Sequence, residues 1–175
     1  MKIFGQALRD KTGCLLAIGA FDGVHRGHQE IIRQTVSKSL NKGLPSAVLT
    51  FDPPPKAYFG GARVLTPIEE KVKRIKRLGV DMVIVARFDR EYTQRTAYEF
   101  MEDLKPYAPK EIIVGSDFRF GKDRVGDIKT LQEHYHVSIS ETIHCDSGTV
   151  ISSTRIRQLM EIGKRREATS LLGWP

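Results

Sequence analysis

Gly19-Ala20-Phe21-Asp22-Gly23-Val24-His25-Arg26-Gly27-His28 decides how the rest of the chain is read. The apolar run Cys14-Leu15-Leu16-Ala17-Ile18 precedes it and reads as a buried strand. Gln29 to Val36 follows it and reads as a helix. The stretch is therefore a strand exit, a glycine-rich turn and a helix start. A helix N-terminus offers unpaired N–H groups and the positive end of a dipole, which suit a phosphate. Gly19, Gly23 and Gly27 let the backbone approach a ligand with no Cβ in the way. His25 and His28 are three apart, so they share one face of a first helical turn. Two imidazoles beside a phosphate can donate to its oxygens and stabilise charge that grows during phosphoryl or nucleotidyl transfer. Glycine-rich turns occur in most doubly wound folds, and a lone histidine near a helix start is ordinarily a surface or capping residue. Here both histidines, three glycines and the strand–helix context coincide, which favours phosphate chemistry.

At 175 residues the chain is expected to form one domain with a sizeable core. The formal net charge of +7 suits anionic partners such as nucleotides, nucleic acid or an anionic surface, without choosing among them. Cys14 lies in an apolar run and Cys145 does not, so the pair suggests no disulfide framework. Met1 to Gly5 carries no signal-peptide pattern, and no run approaches membrane-spanning length. A soluble cytoplasmic protein is the expectation.

Five strands are expected, alternating with helices. After the first helix closes at Lys42-Gly43-Leu44-Pro45, Ser46 to Phe51 is the second strand. Asp52-Pro53-Pro54-Pro55 then stops pairing, because proline lacks an N–H. That turn lies at the carboxyl edge of the sheet, where open α/β folds bind ligands, or it is simply a stiff loop exit. Thr66 is read as a helix N-cap, with Pro67 first in the helix and Glu69 completing a capping box. Ile68, Val72, Ile75 and Leu78 form its apolar face, Gly79 closes it, and Lys71, Lys73, Arg74, Lys76 and Arg77 are placed on the outer side. A solvated face outweighs a nucleic-acid patch there. Asp81 to Ala86 is the third strand, and Thr96 with Glu99 opens another helix. Glu111 to Val114, the fourth strand, runs into Gly115-Ser116-Asp117-Phe118-Arg119-Phe120-Gly121. Phe118 and Phe120 could stack on a planar ring or anchor the loop in the core. Asp127 caps a helix through Leu131 and Tyr135, and Val137 to Ile143 is the fifth strand. No C-x-x-C or H-E-x-x-H frame organises His134, His136, His144 and Cys145, so no protein-bound metal site is expected. Ser152 is the N-cap of a last long helix with Ile156, Leu159 and Met160 facing the core. Its hydroxyls and N–H groups, with arginine one turn in, also make a second anion site.

The decapeptide resembles the first signature of the H-x-G-H nucleotidyltransferases, which have a Rossmann-like fold and move a nucleotidyl group from ATP or CTP. In the longer form G-x-F-D-G-V-H-x-G-H it is most similar to the FMN adenylyltransferase (FAD synthetase) domain of bacterial bifunctional riboflavin kinase/FAD synthetases. Three further blocks follow in order. Thr50 to Pro55 resembles T-F-x-P-H-P, with Pro54 standing where that family has histidine. Gly115 to Gly126 resembles G-x-[DN]-F-x-F-G-x-x-x-x-G. Ser152 to Arg157 resembles S-S-T-x-I-R, with Val150 upstream where arginine or lysine is frequent. The Leu171-Leu172-Gly173 element in Leu171 to Pro175 resembles the end of the adenylyltransferase domain, after which a riboflavin kinase barrel follows in bifunctional members.

What the resemblance implies is specific. The fold is a Rossmann-like, doubly wound parallel sheet in one domain spanning 1–175, with no riboflavin kinase domain. ATP is held by Gly19, Phe21, Asp22, Gly27, His28, Ser152, Ser153, Thr154 and Arg157. His25, His28, Ser153 and Arg157 are the catalytic candidates. Phe51, Pro53, Pro55, Asp117 and Phe118 face the flavin. The reaction joins ATP and FMN into FAD and pyrophosphate with Mg²⁺, and a separate riboflavin kinase is a candidate partner. Two other readings stay open: a nucleotidyltransferase with another phosphate acceptor, and a non-catalytic flavin- or nucleotide-binding paralogue. Pro54 and Val150 are the features favouring the latter.

Overall fold

The structure is a computed structural model and describes residues 1–5, 13–145 and 148–174. Pro175, quoted above, lies outside the described residues. The sheet has six strands: β1 (Lys2–Gly5), β2 (Cys14–Ile18), β3 (Ser46–Asp52), β4 (Met82–Arg87), β5 (Pro109–Gly115) and β6 (Val137–Ser140). Their order is β1-β4-β3-β2-β5-β6. The helices are α1 (Arg26–Lys42), α2 (Pro55–Gly60), α3 (Ile68–Arg77), α4 (Arg90–Thr93), α5 (Ala97–Leu104), α6 (Ile128–Gln132), α7 (Ser153–Glu161) and α8 (Arg165–Leu172).

Strands β2 to β6 are parallel, in the doubly wound order expected. The sixth strand corrects the reading of five. β1 adds antiparallel to β4, so the sheet is mixed. It is four residues long and exposed throughout, so it carries no buried apolar run to announce it. Along β2 and β3 successive side chains go to opposite faces. Leu16, Ile18 and Leu49 join one core with Phe100 and Leu104 of α5 and Leu131 of α6. Ala17 and Val48 join the other with Ile32 of α1 and Val72 and Ile75 of α3. Both faces are covered, which is why these strands read as unbroken apolar runs rather than alternating ones. Helices α7 and α8 form a third cluster around Ile151, Ile156 and Leu171.

Local expectations hold where capping chemistry is self-contained. Gly43 closes α1 in the left-handed region. Thr96 and Glu99 form a reciprocal capping box on α5, Asp127 caps α6, and Ser152 caps α7. The proline turn does not remain a loop but opens α2. α6 and β6 end short of Tyr135 and Ile143. The Thr66 cap is a correction. Pro67 is the N-cap of α3, and Thr66 makes no side-chain cap. Its hydroxyl accepts from Arg74 and its N–H is turned to Asp22, because Thr66 is buried against the turn after β2. Lys71 is a second correction: it is 1% exposed, on the inner side of α3.

At the edge of the sheet away from that turn, Glu111 of β5 is 2% exposed and takes both Lys38 and Lys42 of α1 at 2.6 Å. Ser138 of β6 donates to the same carboxylate at 2.6 Å. Burial raises the pKa of Glu111, but the three donors outweigh it and hold the carboxyl down at about 2. A depressed carboxyl stabilises the fold above its unfolded value and loses that contribution as pH falls. Glu111→Gln is expected to lower stability at pH 7 by about 1.5–3 kcal/mol, toward the lower figure because both lysines remain half in water. In urea titrations the gap to wild type should close as pH falls from about 5 toward 2. A gap independent of pH would contradict this.

Candidate active site

The turn between β2 and α1 is built from conformations that L-residues avoid. Phe21 (φ 47°), Gly23 (φ 86°) and Val24 (φ 45°) all lie in the left-handed region. Glycine takes this freely, while a β-branched valine does so only under constraint. Gly19 is needed for space, since a Cβ there would sit 2.9 Å from the Phe21 ring.

The constraint comes from carbonyl capping by distant side chains. The Ala20 carbonyl accepts from Thr50 (2.9 Å) and Lys71 (3.1 Å). The Asp22 carbonyl accepts from the Ser153 hydroxyl (3.0 Å), and the Gly23 carbonyl from Arg74 (3.1 Å). The Val24 carbonyl accepts from Gln29 (3.0 Å) and from the Trp174 indole (2.7 Å). The Asp22 side chain, 2% exposed, accepts from the backbone of Leu65 and Thr66 and pairs with the Arg157 guanidinium. Asp22 is thus turned inward, as an organiser of the turn.

His25 is the N-cap of α1, and its Nδ1 accepts from the His28 N–H at 3.4 Å. In the neutral ring the proton therefore sits on Nε2, free to donate. The two rings stack with centroids 3.5 Å apart, and Phe21 meets His28 edge-on. Burial, opposed by a backbone hydrogen bond and reinforced by the Arg157 charge, lowers His25 to about 4. Burial, then His25 and the Lys71 ammonium, hold His28 well below the usual imidazole value. The His28 Nδ1 is buried without a hydrogen-bond partner. Gly27 is the second residue of α1, close to the Ile151 carbonyl that precedes α7. Two helix N-termini thus converge at the histidine pair.

At the start of α7, Ser152 accepts from the Arg155 N–H, and Thr154 accepts from Lys56 of α2 at 3.0 Å. The expected phosphate-drawing side chains are partly committed elsewhere. The Ser153 hydroxyl donates to Asp22, and Arg157 also donates to the Arg63 carbonyl at 2.7 Å.

On the other side of β3 lies a cavity of about 710 Å³. Phe51, Phe59, Phe88, Phe100, Phe118 and Phe120 line it, together with Arg95, Arg119, Lys122 and Arg124. Of the flavin-side candidates, Phe51, Pro55 and Phe118 line the cavity, while Pro53 and Asp117 are not among its walls. Asp117 is exposed, with its carboxylate over Gly115. Pro54 is buried, and its carbonyl starts the bonding of α2. Phe118 and Phe120 anchor the loop by packing on Phe100 in the core, and both also line the cavity.

Lys71, Arg74, Gln29 and Trp174 were missed as site residues. Each reads locally as an ordinary helical or terminal side chain, and only the fold brings it to the turn. Among the described residues no helix is long and apolar enough to cross a membrane.

Comparison with known proteins agrees with this geometry. Residues 7–155 match the profile of the FAD synthetase family. The Escherichia coli K12 bifunctional riboflavin kinase/FMN adenylyltransferase is 40% identical over 94% of this chain and 56% of its own length. The Listeria monocytogenes protein of that name is 36% identical over 92% of this chain and 54% of its own. A Geobacillus thermodenitrificans relative, named for the same pair of activities, is 48% identical over 93% of this chain and 91% of its own length. The chain therefore spans little more than half of the longer relatives and nearly all of the shorter one. A Streptococcus pneumoniae crystal structure described as a macrolide-efflux protein superposes with a TM-score of 0.81 and 31% identity, over 95% of this chain and 57% of that one. With its family profile, its relatives and its doubly wound sheet in agreement, the chain belongs to the FAD synthetase family.

Proposed function

We propose that this chain transfers an adenylyl group from ATP to FMN, giving FAD and pyrophosphate. One observation carries the reading: a turn suited to phosphates and an aromatic cavity suited to a planar ring flank the same strand, β3. Lys56 joins their edges through Thr154. FMN has both parts, a flat ring system and a phosphate, and its phosphate must meet ATP.

An FMN phosphate oxygen attacks the α-phosphorus of ATP in line, the α–β bridging bond breaks, and pyrophosphate leaves. No protein nucleophile is needed, so positioning and charge stabilisation dominate. The ring of His25 presents Nε2–H, and His28 stacks beside it. Both polarise the triphosphate as neutral donors. The first-turn N–H groups of α7, with Thr154, receive the β- and γ-phosphates. Gly19, Phe21, Asp22, Gly27 and Ser152 shape this site rather than react. Ser153 and Arg157 act by holding Asp22, and Arg157 adds a fixed positive charge near the leaving group. Pro53 and Asp117 stand at the junction between nucleotide and flavin rather than on the ring. Mg²⁺ brought in with ATP would neutralise phosphate charge, held by phosphate oxygens and water, which it prefers. Among the described residues no three His, Cys, Asp or Glu side chains are grouped to cage it, and no step is assigned to it. We propose further that residues 1–175 supply adenylyl transfer without riboflavin kinase chemistry, because the described strands all belong to one sheet.

Incubation with ATP, Mg²⁺ and FMN should yield FAD, read by chromatography; binding of both ligands without FAD would overturn the reading in favour of a binding module. His28→Ala should leave the fold intact and cut the rate by about a hundredfold or more, the usual cost of a lost transition-state donor. Wild-type turnover in that variant would remove His28 from the mechanism. In the ligand-free protein, proton NMR of the His25 ring should show no titration between pH 8 and about 5, because its value is lowered to about 4. An imidazole kept neutral leaves proton uptake to the unfolded chain, so its contribution to stability is lost as pH falls from about 6.5 toward 4. A midpoint near 6.5 in the folded protein would contradict the burial argument.

A further inference from the structure

Lys71 is the buried group that the mechanism above leaves unused. Its side chain comes from α3 yet ends at the carboxyl edge of the sheet. The ammonium donates to the Phe51 carbonyl at 2.9 Å and to the Ala20 carbonyl at 3.1 Å, with the Thr50 hydroxyl at 3.5 Å. Thr50 in turn donates to the Ala20 carbonyl at 2.9 Å. All of these acceptors are uncharged. Asp22 and Asp52 act on the ammonium only through space, and burial lowers it to about 8 against their pull. His28 lies near enough to feel its charge.

A buried ammonium with only neutral partners costs stability that an apolar side chain of the same length would not. Packing alone therefore does not account for a lysine here. What distinguishes the position is what it joins. Ala20 begins the phosphate turn. Phe51 is the penultimate residue of β3, and its ring is a wall of the aromatic cavity. The ammonium bolts the backbone of one half-site to the backbone of the other.

We propose that Lys71 is a positioning residue that sets the spacing between the nucleotide turn and the flavin cavity, so that the FMN phosphate meets ATP in line. It touches neither substrate. Each half-site keeps its other contacts when the bolt is removed: the histidines, helix starts and the carbonyl caps from Thr50, Arg74, Ser153 and Trp174 on one side, the phenylalanines on the other. Only their mutual alignment is lost. A displacement of about 1 Å between reacting groups costs on the order of a hundredfold in rate. Loss of Lys71 therefore falls on kcat, not on the binding of either substrate alone.

The proposal rests on the adenylyl-transfer reading, so wild type is assayed alongside. Lys71→Met keeps the length and removes the charge. Its kcat should fall by about tenfold or more, with Kd for MgATP and for FMN, each measured alone, within about threefold of wild type. Its thermal midpoint should be unchanged or raised. Thr50→Val removes the weaker strut and should show the same pattern with a smaller fall. A Lys71→Met kcat within about twofold of wild type overturns the proposal, as does a parallel loss of both affinities. Should Lys71→Met not fold, Thr50→Val decides, and a wild-type kcat in it overturns the proposal. If wild type makes no FAD, the functional reading fails, and hydrogen exchange then tests the bolt by itself. The N–H groups of Gly19, Val24 and Gln29 are bonded to Leu49, Phe21 and His25. Their exchange should be faster in Lys71→Met by about tenfold or more, and wild-type exchange there overturns the proposal.

Discussion

The left-handed conformation of Phe21, Gly23 and Val24 is the constraint on which the rest depends. Valine in that region is disfavoured, and such conformations persist only where the surroundings over-determine them. Here four elements, well separated along the chain, do so. Side chains from β3, α3, α7 and the segment after α8 each hold a carbonyl of the turn. With the carbonyls of Ala20, Asp22, Gly23 and Val24 all engaged by side chains, the turn hands the chain to the stacked His25 and His28 at the start of α1. Thr66 leaves its expected capping role for the same reason, since its N–H serves Asp22 and its hydroxyl serves Arg74.

The charges follow from that arrangement. Asp22 is buried because two backbone N–H groups and Arg157 satisfy it. Removing either ionic partner would strand the other, which typically costs about 3–5 kcal/mol. His25 and His28 are kept neutral by burial and by the cations around them. The free site is therefore a set of neutral donors in a positive surround, ready for an anion without first needing to lose one. The aromatic cavity is the complement, its phenylalanine walls interspersed with Arg95, Arg119, Lys122 and Arg124.

The sequence made the skeleton readable because its signals are local. Unbroken apolar runs marked β2, β3, β4 and β5, and self-contained caps at Thr96, Asp127 and Ser152 marked helix starts. The motif order set the turn after β2 and the aromatic loop after β5 at one sheet edge. What could not be read was long-range. β1 is short, and only its pairing with β4 makes it a strand. Lys71 sits among five basic residues of α3, and periodicity alone assigns it to water. Burial of its ammonium needs the carbonyls of Ala20 and Phe51, supplied by two other elements. The commitment of Ser153 and Arg157 to Asp22 is likewise invisible until α7 is docked on the turn.

The central claim is that the turn between β2 and α1 is formed before any ligand arrives. Crystal structures of the protein alone and with MgATP, superposed on the sheet, test it most directly. The account predicts that Ala20 to His25 differ by less than about 1 Å between the two, as in other preorganised sites, with Phe21 and Val24 left-handed in both. A turn that is rearranged or unformed without nucleotide, its carbonyls released from Lys71, Arg74, Ser153 and Trp174, would contradict it.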